Sequence, residues 1–481
     1  MIYLNVLPEV IIVFFGILIL VLDLLFKKEQ NEVLSYVSVI GCTLAFFACI
    51  FIFSNKAPLF SGMLLIDSFG TFLKCLILFA TILTILLTKG YEPLSSTANS
   101  KLPEYYSLLL FSTLGMMLMV SANDFLTLYL GIELTALSLY VLVAFLRSDV
   151  KSSESAIKYF LLGAFSSAIM LYGITLVYGL AGTTNFNILF SYFSNSSGEV
   201  PLLLIVSLLF ILVGIGFKIA MVPFHMWAPD IYEGAPTPIT SFLAVASKSA
   251  GIAVLIRVFL NVFPSVTAEL NTIIAVLAAI TMTVGNIIAI PQNNIKRLLA
   301  YSGIAHIGYI LIGFVVADSL GVQAILIYLL AYLFMNVGAF AIVVIVSNVL
   351  KSDDIEDFAG LGQRSSFLSA LMLIFLLSLA GMPPLAGFIG KFYIFAAAIK
   401  GGFVWLAIIA VLNSVIALYY YLRIVKAMYF TDTKEFGAIP VPTALKVALL
   451  IITIFIFLIG IFPQPFINLV NNSVSLHSFM Y

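Results

Sequence analysis

Apolar stretches of about twenty residues, each long enough to cross a hydrocarbon core roughly 30 Å thick as a helix, recur along almost the whole of this sequence. They fall at approximately 5–26, 33–53, 64–87, 104–121, 124–146, 156–180, 201–222, 237–260, 270–290, 297–316, 320–349, 366–398, 403–430 and 443–463, about fourteen spans in all. Hydrophobic residues make up 63% and charged residues 9% of the 481, against about one-quarter charge in a soluble domain. Lipid is therefore the expected solvent for most of the chain. Backbone amides cannot go unpaired in lipid and the alternating pattern of a β-barrel is absent, so each stretch is expected to be a helix. The expected fold class is an all-α polytopic membrane protein.

Lys plus Arg equals Asp plus Glu at 22 each, so no basic surplus points to nucleic acid, and charge position carries the information. Loops after odd-numbered spans hold Lys27, Lys28, Lys89, Lys101, Arg147, Lys151, Lys296, Arg297, Lys351, Arg364, Lys426, Lys434 and Lys446, whereas loops after even-numbered spans hold only Lys56 and Lys400. The positive-inside rule then turns the odd loops to the cytoplasm. Both termini are expected on the outer side, with residues 464–481 as a short external tail. The opening MIYLNVLPEV lacks the basic start and cleavage site of a signal peptide and is expected to be retained. Cys42, Cys49 and Cys75 lie in apolar runs without CxxC or Cys/His spacing, which argues against an iron–sulfur, zinc or disulfide site. No Gly-rich phosphate loop follows a strand, so no NAD, flavin or ATP site is expected in this chain.

Two spans carry helix breakers. Span 7 ends in VPFHMWAPDIYEGAPTP, residues 222–238, and span 12 is interrupted by GMPPLAG, residues 381–387. Proline removes a backbone donor and clashes with the preceding turn, so both helices are expected to break or kink. The breaks sit five spans apart, each with a lysine close by. If spans 4–8 and 9–13 are two copies of one five-helix unit, the odd count forces opposite orientations, an inverted repeat. The expected division is a three-helix segment 1–99, a first repeat 100–265, a second repeat 266–430, and a last span with tail 431–481.

An ionisable side chain at mid-membrane costs about 2.5–3.5 kcal/mol on insertion scales, so each is a candidate functional residue. Glu133 in span 5, Lys218 in span 7, Lys248 in span 8 and Lys391 just past the break in span 12 qualify. Lys218 is the expected partner of Glu133. A buried ammonium that loses its carboxylate is driven toward its neutral form, so movement of the acid would switch the lysine; the other reading is a static bridge that fixes helix packing. His306 in span 10 either relays between Lys248 and Lys391, since imidazole titrates near neutrality, or is a satisfied core residue. Lys158 at the start of span 6 either modulates the Glu133 pair or snorkels to the interface. Asp67 and Lys74, seven residues apart in span 3, are expected to pair locally, while Glu9, Asp23 and Arg257 are expected to anchor span ends. His225 and Asp230 are expected to cap locally in the break after span 7, and His477 lies in the tail.

The stretches FKIAMVPFHMWAPDIYEGAPTPITSFLAVASKSA (217–250), NIKRLLAYSGIAHIGYILIG (294–313) and GMPPLAGFIGKF (381–392) are together similar to the antiporter-like membrane subunits of respiratory complex I and of multisubunit cation/proton antiporters. The match covers roughly residues 100–430. Among the L, M and N types of complex I subunit, Lys391 stands where the M type usually has glutamate, and residues 464–481 leave no room for the long lateral helix of the L type. The N type fits best, and LPEVIIVFFGILILVLDLLF resembles its first span.

The resemblance implies that Glu133 and Lys218 act as a coupled pair, Lys248 as a central proton carrier, and Lys391 as the exit lysine of a half-channel facing the outer side; His306 matches the histidine of the family's span 10. It further implies a proton-translocating subunit of NADH:quinone oxidoreductase in a bacterial inner membrane, with NADH, flavin, iron–sulfur clusters and quinone handled by other membrane and peripheral subunits. Rival readings are a subunit of a cation/proton antiporter or membrane-bound hydrogenase, a stand-alone solute transporter, and a purely structural scaffold.

Overall fold

The computed structural model describes residues 2–25, 31–97, 101–194, 201–432, 437 and 439–474. Within them thirteen helices are long and apolar enough to cross a membrane. The fourteenth, span 12, is too short in each half: Ser366–Ala380 and Ala386–Lys400 meet at the GMPPL turn. Short polar side chains start several spans by accepting from otherwise unpaired amides: Asp67 before span 3 (Ser68–Lys89), Asp124 before span 5 (Phe125–Val143), Asp149 before span 6 (Val150–Ala181), Asn294 before span 10 (Ile295–Val316) and Asp318 before span 11 (Ser319–Leu350). Spans 8 (Thr237–Val262), 10 and 11 form the buried centre, and spans 1 (Leu4–Leu25) and 14 (Thr443–Ile461) lie at the periphery. The expected tail does not start as a free segment: Gln464–Ser473 is a helix that buries Ile467 and Val470 against spans 3 and 11.

The loops sort onto two faces. After spans 2, 4 and 6, Asn123 and Asn185 both donate to the Gly62 carbonyl, and Asp124 bridges Asn185. On the opposite face, Lys351 pairs with Glu92, Lys151 with Glu233, and Asn294 bridges Asp354, so loops after spans 3, 5, 7, 9 and 11 lie together. Lys27, Lys28, Lys434 and His477 lie outside the described residues.

The inverted repeat is visible in matched details. The bridge from the cap of span 5 to the residue beyond span 6, Asp124 to Asn185, recurs as Asn294 to Asp354 at spans 10 and 11. Gly115 lets span 4 (Leu102–Ser121) close on Gly131 and Thr135, and Gly285 does the same for span 9 against Tyr301 and Ala305. Both breaks have one form. The first half of span 7, Leu202–Ile219, ends at Ala220 with φ 59°, and the first half of span 12 ends at Gly381 with φ 89°. Met221 N then donates to Gly216 O at 2.8 Å and Met382 N to Leu377 O at 3.0 Å, the six-residue bond of a Schellman cap. A cis X–Pro bond follows each, Val222–Pro223 and Pro383–Pro384. Five helices per copy invert the second copy relative to the first.

Asp67 and Lys74 do not pair with each other. Seven residues of helix separate them by roughly 10 Å along the axis, and each finds a partner on another helix. Asp67 takes Arg257 through two bonds of 2.7 and 3.0 Å while capping Gly70 N, and Arg257 Nε donates to Val120 O at 2.6 Å. Lys74 meets Glu9 at 2.6 Å. All four side chains are at most 5% exposed, so Glu9 and Arg257 are internal clamps rather than interfacial anchors. Breaking a buried pair from one side leaves a charge without its partner, at a cost of about 3–5 kcal/mol. Asp67→Asn is therefore expected to lower the detergent-solubilised melting temperature markedly, and Asp67→Asn with Arg257→Met is expected to recover part of the loss.

Candidate functional site

Glu133 lies in the middle of span 5, half-buried, where Ser167 of span 6 donates a hydrogen bond to its carboxylate. Lys218 occupies the last turn of the first half of span 7, and its ammonium is buried with no hydrogen-bond partner among the described residues. The direct acid–lysine contact expected from sequence is absent among the described residues. Span 6 packs between spans 5 and 7, so the carboxylate meets Ser167 first. The gap between the two charges is a cavity of about 30 Å³ lined by Glu133, Ser166, Ser167, Tyr140, Tyr159 and Lys218, large enough for a bridging water. The carboxylate still acts electrostatically on the ammonium across it.

Lys248 stands at the centre of the molecule, 1% exposed, between two π-helical turns of span 8, Leu243–Ser247 and Ile256–Val262. Its ammonium also lacks a hydrogen-bond partner among the described residues and lies 5.6 Å from the Tyr232 ring centroid. Gly303 makes the space: a Cβ there would sit 2.9 Å from Lys248 Nζ and 3.0 Å from the Tyr332 hydroxyl. Lys218 runs across the same helix one turn further on, its Cγ 3.4 Å from where a Cβ of Gly251 would stand. The Lys218 stem thus lies at the contact of span 7 with span 8, and Lys248 reaches from span 8 to span 10.

Lys391 uses the break in span 12. The broken helix leaves the Ala380 carbonyl without an amide partner, and Lys391 Nζ donates to it at 2.9 Å and to Ser414 Oγ at 3.2 Å, beneath the Tyr309 ring at 4.8 Å. A cavity of about 270 Å³, lined among others by Met382, Phe392, Val411 and Val415, opens beside it. His306 touches neither Lys248 nor Lys391. Its Nδ1 faces the Tyr328 hydroxyl at 2.6 Å and its Nε2 that of Tyr421 at 3.3 Å. Tyr332 lies between it and Lys248, with ring centroids 5.1 Å apart, and Tyr309 lies on the Lys391 side at 5.9 Å. The histidine is thus between the two lysines, with tyrosines as the links.

Those tyrosines, with Asn286, Asn413, Ser302 and Ser414, escaped the sequence reading. A signal was present. Tyr328 and Tyr332, or His306 and Tyr309, recur at one-turn spacing in apolar spans, and a buried hydroxyl or amide needs a partner. Lys158 is not near Glu133. It pairs with Glu154 and Asp230 at 2.8 Å in an ion cluster on the odd-loop face, where Arg297 also binds Asp230 and Glu233. Its side chain is 43% exposed, in keeping with snorkelling. Asp230 joins that cluster instead of capping, and the helix Trp227–Gly234 has no side-chain cap from His225 either. Among the described residues no group of three or more His, Cys, Asp or Glu is placed to hold a metal ion.

The family model described as NADH:quinone oxidoreductase/Mrp antiporter, transmembrane, matches residues 122–417. The chain is 42% identical to NADH-quinone oxidoreductase subunit N of Trichlorobacter lovleyi, covering 98% of this chain and 96% of the relative. It is 45% identical to the protein of that name from Desulfitobacterium hafniense, covering 90% of each. Among solved structures it resembles a chain of respiratory complex I from Thermus thermophilus, 31% identical, with TM-score 0.81 and coverage of 96% and 98%. A chain of an archaeal membrane-bound sulfane sulfur reductase is 26% identical with TM-score 0.87, covering 98% and 97%. The Mrp complex of Dietzia, at 18% identity and TM-score 0.86 over 99% of this chain and 97% of that one, shares the fold.

Gly381 combines a left-handed backbone with close contact: an added Cβ would lie 2.7 Å from Lys391 Cδ. Gly381→Ala is expected to cost about 1–3 kcal/mol, the usual range for backbone strain, read as a lower melting temperature of the solubilised protein.

Proposed function

This chain belongs to the NADH:quinone oxidoreductase/Mrp antiporter membrane family, and from that premise we propose that it is a proton-translocating membrane subunit of a bacterial NADH:quinone oxidoreductase. Relatives at 41–45% identity carry that complex's name, which favours it over a cation/proton antiporter or hydrogenase subunit. The observation that carries proton work is that Lys218 and Lys248, on two helices that pack together, are buried ammonium groups without a hydrogen bond to any described residue. A scaffold gains nothing from two such groups, each costing about 2.5–3.5 kcal/mol to hold at mid-membrane.

In this reading Glu133 receives a proton from the cytoplasmic side, and its carboxylate, acting through the cavity, sets whether Lys218 holds its charge. A proton released by Lys218 passes to Lys248, where the second ammonium is held without a competing carboxylate. Tyr332, His306 and Tyr309 connect Lys248 toward Lys391. Lys391 holds the proton against the Ala380 carbonyl and releases it through the cavity at the break toward the outer side. The charge arriving at each site repels the next, so a signal at one end of the row is felt at the other. Redox groups and quinone belong, in this proposal, to neighbouring subunits. In the same proposal the membrane is the bacterial cytoplasmic one, and the positive-inside rule, which turns the odd loops inward, supports both ends of the chain facing outward.

Lys248→Ala in the assembled complex is expected to lower NADH-driven proton uptake in proteoliposomes by roughly tenfold or more, a positioned acid–base group being worth about 10²–10⁴. Gly303→Ala, which crowds the same ammonium, is expected to act in the same direction. Unchanged uptake in an assembled Lys218→Ala or Lys248→Ala complex would overturn the proposal in favour of a scaffold.

A further inference from the structure

His306 has a second set of connections that a purely lateral relay leaves unused. Its Nε2 faces Tyr421 of span 13 (Val404–Phe430), and the Tyr421 hydroxyl is hydrogen-bonded to Ser302, one helical turn nearer the odd-loop end of span 10. Ser302, His306 and Tyr421 are all at most 2% exposed. Tyr420 packs on Tyr421 with centroids 4.5 Å apart and is fixed by its own bond to Asn286, 3.0 Å. The cluster lies in the odd-loop half of the second repeat. One turn beyond Asn286, Arg423 ties that face by donating to the carbonyls of Ile290 and Gln292.

We propose that Tyr421 and Ser302 form a proton inlet from the cytoplasmic side to His306, separate from the Glu133 entry, which delivers protons to Lys391. The inference rests on the reading that the buried lysines carry protons. Each group in the inlet is a hydroxyl or an imidazole, able to donate and accept at once. A proton arriving on the Tyr421 oxygen releases the hydroxyl's own proton to His306 Nε2, leaving the phenol neutral. The imidazolium then gives its Nδ1 proton to the Tyr328 oxygen while the Tyr328 hydroxyl proton passes to the neutral amine of Lys391, which becomes the ammonium. Tyr328 lies against Gly390, the residue before Lys391, with a Cβ at Gly390 falling 3.1 Å from the Tyr328 ring. Asn286 is a positioning residue in this scheme, holding Tyr420 and through it Tyr421. Interhelical glue is a weak alternative account, since such bonds average about 0.6 kcal/mol in a bilayer.

The test is the number of protons taken up per NADH oxidised by the intact complex in proteoliposomes. Tyr421→Phe removes one oxygen and keeps the ring; it and Ser302→Ala are each expected to lower that ratio by about twofold or more, as befits loss of an acid–base group. Ser302→Thr, which keeps the hydroxyl, is expected to restore it. A structural role would reduce assembly and melting temperature while leaving the ratio at the wild-type value, and that result in both Tyr421→Phe and Ser302→Ala overturns the inlet. Lys248→Ala run alongside separates the two ideas. A drop there with no drop in the inlet variants sinks the inlet alone, whereas no drop in any of them sinks the lateral reading as well.

Discussion

In hydrocarbon there is no water to satisfy an amide, a carbonyl or an ammonium, so each must find its partner inside the protein or stand in a cavity. The helices follow from the first half of that demand. The rest follows from the second. Span 12 cannot satisfy its backbone across GMPPL, and the Ala380 carbonyl that the break releases is taken by Lys391. At the break in span 7 the Phe217 carbonyl, which accepts from Ala220 N at 3.0 Å, takes a further bond from the Trp227 indole at 2.8 Å. The two copies solve one problem with different donors, and only the second places a charge at the solution.

Two kinds of buried charge result. Glu9 with Lys74 closes span 1 on span 3, and Asp67 with Arg257 joins span 3 to span 8 of the first repeat. Such pairs are specific but chemically quiet, because neither partner can change charge without stranding the other. Lys218 and Lys248 are the opposite case, with buried ammonium groups that make no hydrogen bond to any described residue. Small residues are what make this possible. Gly251 and Gly303 leave the room that the lysine stems and heads occupy, so the packing that excludes lipid also shapes the row.

The tyrosines around His306 extend the same logic. Phenols satisfy both ring nitrogens of a buried imidazole and each other without adding charge. They connect helices 10, 11 and 13 in a region where apolar contact alone gives little specificity, lipid tails being as apolar as leucine. One set of hydroxyls therefore both orders the second repeat and links its ionisable groups.

How much of this could be read without coordinates depends on the range of the interaction. Span number, the sorting of the loops onto two faces and the two breaks are local properties of hydropathy, helix count and proline, and the sequence was sufficient for them. The four mid-membrane charges Glu133, Lys218, Lys248 and Lys391 were legible for the same reason, since cost in lipid is set by depth along one helix. Partnership was not. Asp67 and Lys74 look paired along their helix, but their partners Arg257 and Glu9 come from distant spans. Lys158, which the sequence left open between modulating the Glu133 pair and snorkelling, lies in a separate ion cluster with Glu154 and Asp230. Ser167, not Lys218, meets Glu133 first because span 6 lies between spans 5 and 7. By itself the sequence determined how far along its helix each ionisable residue stands, because that follows from span position and helical rise. The tertiary structure alone decided which of them are neutralised, because neutralisation needs contact within a few ångströms across helices that no periodicity brings together.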